Sequence, residues 1–128
     1  MMRRRITKGE RGAAAVEFAL IVPLLVVLVF GIIEFGRVLN VQISLSGAAR
    51  EGARYMAIHK NVADAKETAW QAAPSVPGLS ASNIAISPST CVAGAKTTVT
   101  VTYTVDFVTG YFGASMPLTG KGVMQCGG

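Results

Sequence analysis

The sequence predicts an α+β, membrane-anchored architecture. One long N-terminal helix, apolar in its first half, runs on into a small antiparallel sheet of three or four strands. Three observations lead there. Residues 18–33 carry no charged side chain. Residues 34–60 keep a helical spacing of apolar and small positions. From Ser80 onward the pattern turns to period two, most plainly in KTTVTVTYTVD. With 51% hydrophobic and 15% charged residues, the chain is too apolar for disorder and rather apolar for a protein wholly in water. Its 128 residues leave room for one small core.

The first element, residues 1–12, is a basic leader. Arg3, Arg4, Arg5, Lys8 and Arg11 stand against Glu10, a balance of +4 out of a net +5 for the whole chain. Basic residues flanking an apolar span stay on the cytoplasmic side, so the chain beyond Glu34 is expected in the periplasm. A nucleic-acid partner is not expected: the leader has no aromatic residue to stack on bases and runs directly into the apolar stretch. Residues 13–34 form the second element, about twenty apolar positions interrupted only by Glu17. At ~1.5 Å per residue such a helix crosses a ~30 Å hydrocarbon layer. Pro23 is expected to bend the helix rather than end it, because no water in lipid competes for the freed carbonyls.

Residues 35–60 are expected to continue that helix into the periplasm. Val38, Val41, Leu45, Ala48, Gly52 and Tyr55 recur at helical spacing. Ser44, Ala48 and Gly52 make a small-residue row that lets another backbone approach closely. The row admits two readings, packing on the chain's own domain or packing against another subunit.

Residues 61–128 form a small helix-plus-sheet domain. Asn61 suits an N-cap for a helix over residues 62–73, with Asp64 in its first turn and Pro74 ending it. Trp70, the single tryptophan, is expected in the core. Ile84 and Ile86 share one face of a strand. Val99, Val101, Tyr103 and Val105 share one face of the next, with Thr98, Thr100, Thr102 and Thr104 on the other. A third strand is expected over residues 121–126, with turns at Gly94, Gly110, Gly113, Pro117 and Gly120.

The N-terminal order is a basic arm, Gly12, the small residues Ala13, Ala14 and Ala15, then Val16, Glu17, Phe18 and an apolar helix. This resembles the type IV prepilin signal, in which a membrane peptidase cuts after the glycine and leaves the helix in place. RGAAAVEFALIVPLLVVLVFGIIEFGRVLNVQISLSGAAREGARYMA more narrowly resembles the TadE-like family. Members of that family are pseudopilins or minor pilins of the tight-adherence (Flp pilus) system. The resemblance implies a type IV pilin-like fold, processing by a prepilin peptidase between Gly12 and Ala13, and residence in the bacterial inner membrane. It implies as partners other pilin or pseudopilin subunits, the pilus assembly machinery and the lipid membrane. Glu17 and Phe18 become the fifth and sixth residues of the processed chain. The resemblance implies that Glu17 pairs during assembly with an N-terminal amine, usually a neighbour's. The plainer alternative is a carboxylate hydrated at headgroup level.

Cys91 and Cys126 both fall in the part expected outside. An oxidising periplasm favours a disulfide between them, and pilin-like folds often close their C-terminal region this way. The alternative is two buried thiols. No Ser-His-Asp grouping, phosphate loop or carboxylate pair stands at usable spacing, and His59 is distant from both cysteines. No catalytic activity, metal or cofactor is expected. The rival to pilus assembly is an uncut, single-pass anchor carrying a periplasmic binding module or a secretion-apparatus part.

Overall fold

The computed structural model describes residues 8–108 and 115–127. Arg3, Arg4 and Arg5, and the expected turn positions Gly110 and Gly113, lie outside the described residues. The elements run α1 (Lys8–His59), α2 (Val62–Gln71), a short 3-10 turn (Ala81–Asn83), β1 (Ile84–Ser87), β2 (Lys96–Asp106) and β3 (Ser115–Gln125). Residues 1–35 and 36–128 form two compact units.

The described part of the first unit is α1 alone, and the helix continues through Pro23. Its apolar side chains point outward: Phe18 is 71% exposed and Leu20 72%. None of its most apolar window is buried by protein, and it is long and apolar enough to cross a membrane. A core helix of a soluble protein would bury that surface. This segment fits a single-pass membrane anchor.

In the second unit the helix becomes one wall of a core. Val41, Leu45, Ala48, Ala49, Ala53, Met56 and Ala57 are buried. The helix stops at His59 because Lys60 turns left-handed, with φ 57°, while its N–H still donates to the Met56 carbonyl at 2.9 Å. Asn61 then caps α2, its Oδ1 accepting from the Asp64 N–H at 3.2 Å. Helix α2 ends at Gln71, two residues short of the expected Ala73.

Trp70 is not a core residue; it is 36% exposed. The reason is the closeness of the two helices. A Cβ added to Gly52 would lie 2.8 Å from the Ala69 Cβ, so α2 meets α1 through Ala65 and Ala69. Trp70, a step of ~100° round the helix, is left at the rim.

The strands lie in the order β1-β2-β3, both pairs antiparallel. Val101 sits opposite Ile84 on one side and Gly120 on the other, and Val99 sits opposite Ile86 and Gly122. Ile84, Thr97, Val99, Val101, Val105 and Leu118 are buried on the inner face. The outer face presents Thr98, Thr100, Thr102 and Thr104, with Thr119 and Lys121 beside them in β3.

Strand β3 corrects the sequence reading. It starts at Ser115, well before Lys121, and takes in Pro117 and Gly120, which are strand residues and not turns. Proline is tolerated because β3 is an edge strand. The glycine is needed because a Cβ on Gly120 would collide with the Leu45 carbonyl group. Gly94 does turn, with φ 84°. Gln42 Nε2 donates to the Thr119 carbonyl at 2.9 Å, so α1 covers part of the open edge.

Candidate functional site

The residues singled out at the N-terminus all sit on α1. Lys8, Arg11, Gly12, Ala13, Glu17 and Phe18 belong to one continuous helix, and residues 9–20 are exposed throughout. Ala13 and Glu17 are four positions apart, which places them one above the other on the same helix face. A Cβ at Gly12 would meet nothing within 4 Å. Glu17 is the one acid between Glu10 and Glu34. A carboxylate in an apolar span is costly, and such residues generally carry a function.

The small-residue row is a different matter. Ala48 is fully buried and Gly52 faces Ala69 and Val99. Ser44 Oγ donates to the Asn40 carbonyl at 3.0 Å and lies 3.1 Å from Ser75 Oγ. Ser44, Ala48 and Gly52 thus face the chain's own domain, with Ser44 partly exposed. The physical reason is demand: α2 and the sheet must both reach α1, and small side chains are what let them.

Two ties fix the ends of the sheet on the helix. At one end the Arg37 guanidinium donates from Nη1 to the Asp106 carbonyl at 3.0 Å. At the other, the Gly127 N–H donates to the Ala57 carbonyl at 3.1 Å. Beside it Cys91 and Cys126, with Cα atoms 5.6 Å apart, form a disulfide that joins the segment before β2 to the end of β3. Between them the Tyr103 hydroxyl donates to the Pro77 carbonyl at 2.7 Å and holds down the loop after α2. His59 stacks on Tyr55 with ring centroids 4.1 Å apart. Among the described residues no group of three His, Cys, Asp or Glu side chains could hold a metal ion.

Sequence reasoning missed Gly122, Arg37 and Gln42. For Gly122 the signal was present: Gly120 and Gly122 alternate with Lys121 at strand period, a pattern that bares backbone on one face. The contacts of Arg37 to Asp106 and of Gln42 to Thr119 gave no signal, because each reaches a backbone carbonyl far along the chain.

No curated protein and no solved structure matches this chain significantly. The family model described as TadE-like protein matches residues 12–54. That segment begins at Gly12, contains Glu17 and the whole apolar span, and ends on the buried half of α1; over these residues, about a third of its length, the chain is similar to that family.

Proposed function

We propose that this protein is a minor pilin or pseudopilin that takes part in assembling Flp-type (tight-adherence) pili, without enzymatic activity. The observation that carries the reading is the TadE-like match over residues 12–54, because it starts at the glycine of the prepilin-like signal. In this reading a prepilin peptidase cuts between Gly12 and Ala13. The basic leader, with Arg3, Arg4, Arg5, Lys8 and Arg11, holds the N-terminus in the cytoplasm until then. The processed chain stays in the bacterial inner membrane through residues 13–34, with residues 35–128 in the periplasm, until it joins other subunits.

Glu17 has a physical task in this scheme. Cleavage creates an α-ammonium group at Ala13 of each subunit. A carboxylate and an ammonium in low dielectric attract strongly, and each alone is costly there. Pairing Glu17 with a neighbour's amine relieves both and fixes the step between subunits. Phe18, outward on the same helix, supplies apolar contact next to the pair.

Mass spectrometry of purified filaments and membranes tests the proposal. The expected result is this chain in the filament fraction, beginning at Ala13. A chain in the membrane that keeps its leader would instead favour the uncut anchor. In the same cells Glu17→Ala is expected to reduce piliation while the protein remains inserted. Unchanged pili would remove Glu17 from the mechanism.

A further inference from the structure

We propose that the β2–β3 end of the sheet rests in the headgroup layer of the bilayer that α1 crosses, with Phe107, Val108 and Met116 as the contacting side chains. The proposal rests on α1 being a membrane span.

Chain length makes the first part of the argument. Arg37 comes four residues after Ile33, the last residue of the charge-free stretch. Four residues reach ~6 Å as helix and at most ~14 Å fully extended. Arg37 therefore stays close to the membrane surface whatever the helix does in between. Its guanidinium holds the Asp106 carbonyl at 3.0 Å. The last residue of β2 is thereby tied to the level at which the chain leaves the lipid.

The second part is chemical. Directly after Asp106 the surface turns apolar. Val108 is 70% exposed and Phe107 half-buried; across the strand pair Met116 is 45% exposed. Among the described residues of this end, 107–108 and 115–120 include no charged side chain. The cations of the sheet lie elsewhere. Lys96 starts β2 at its far end, about 34 Å away at ~3.4 Å per residue, and Lys121 sits opposite Thr100 in mid-strand. An exposed apolar end bordered by charged groups, Arg37, Glu34 and Asp106, matches the acyl–headgroup boundary. There the apolar groups leave water while the charged groups stay hydrated at headgroup level. Such a contact would hold the domain upright on the membrane and give the helix a second support.

Tryptophan fluorescence of the full chain in phosphatidylethanolamine–phosphatidylglycerol vesicles containing brominated lipid tests this. Trp70→Phe removes the native fluorophore, and Val108→Trp, Val92→Trp and Val27→Trp are introduced singly. Val92, 65% exposed, adjoins the disulfide at the opposite end of the sheet. V108W is expected to shift to the blue and to be quenched by lipid brominated near the headgroup. V92W is expected to do neither, and V27W to be quenched by lipid brominated deep in the chain. If V27W is quenched while V108W behaves like V92W, the proposal is overturned and the membrane anchor stands. If V27W is not quenched, the anchor is overturned and the proposal with it. A blue shift of V108W that disappears when the protein is diluted in lipid would mean that a second copy covers this end, which also overturns the proposal.

Discussion

Gly122 of β3 lies directly against the backbone of Ala49 in α1, so closely that an added Cβ would sit 2.7 Å from the Arg50 nitrogen. One turn earlier Gly120 has the same relation to Leu45. Strand and helix therefore touch backbone to backbone, with no side chain between them. Neither obstacle is the end of a flexible side chain, so a methyl group cannot be absorbed locally. Gly120→Ala and Gly122→Ala are expected to destabilise the domain by about 1–3 kcal/mol or more. Gly47→Ala, on the same helix with open space around it, is expected to be neutral or to stabilise by up to about 1 kcal/mol. Denaturant unfolding of the detergent-solubilised chain compares the three. Equal effects at Gly47 and Gly122 would contradict the close approach.

The disulfide closes a loop of 35 residues between the segment before β2 and the end of β3. On the chain-entropy model its removal costs about 3–4 kcal/mol. Cys91→Ser combined with Cys126→Ser is expected to lower the unfolding midpoint by a corresponding amount, and reductant should bring the unmodified chain to the same midpoint. A reductant effect below about 1 kcal/mol would show that the bond adds little to a core already closed by Gly127 and Ala57.

Thr97 is fully buried and its hydroxyl has no hydrogen-bond partner among the described residues. It stands on the inner face, where the neighbouring inward positions of β2 are Val99 and Val101. Burying an unpaired hydroxyl costs about 1–3 kcal/mol, and valine has nearly the same shape. Thr97→Val is expected to stabilise the domain by about 1 kcal/mol, read as a higher thermal midpoint. Destabilisation by this change would show that the hydroxyl has a partner.

The junction between α1 and α2 depends on one side chain. Asn61→Ala removes the Oδ1 acceptor from the Asp64 N–H and is expected to cost about 1 kcal/mol. Asn61→Asp keeps the acceptor and should cost little. Helical signal lost equally in both variants would mean that the cap is not what starts α2.

The elements themselves could be read from local pattern. A charge-free run announces a lipid-facing helix because only a helix satisfies its own backbone there. The alternation of Val and Thr in β2 names a strand and its buried face at once, because side chains alternate strictly across a sheet. Asn61 signals its cap through three residues. Each of these rules acts over a few positions, so the sequence carries them in full.

Pairing across the chain was decided elsewhere. The Ser44, Ala48 and Gly52 row reads equally as a face for its own domain or for a neighbour; the arrival of α2 and the sheet on that face is what gives Ala48 and Gly52 their contacts. As the single tryptophan, Trp70 is expected in the core, yet two helices brought together through Gly52 and Ala69 leave no room for an indole. Pro117 and Gly120 carry the local marks of a turn, but an edge position tolerates one and a helix backbone requires the other. Local sequence thus determined which elements exist and which side of each is apolar. The tertiary structure alone decided which elements meet and how closely, because packing depends on the shapes of residues far apart in the chain.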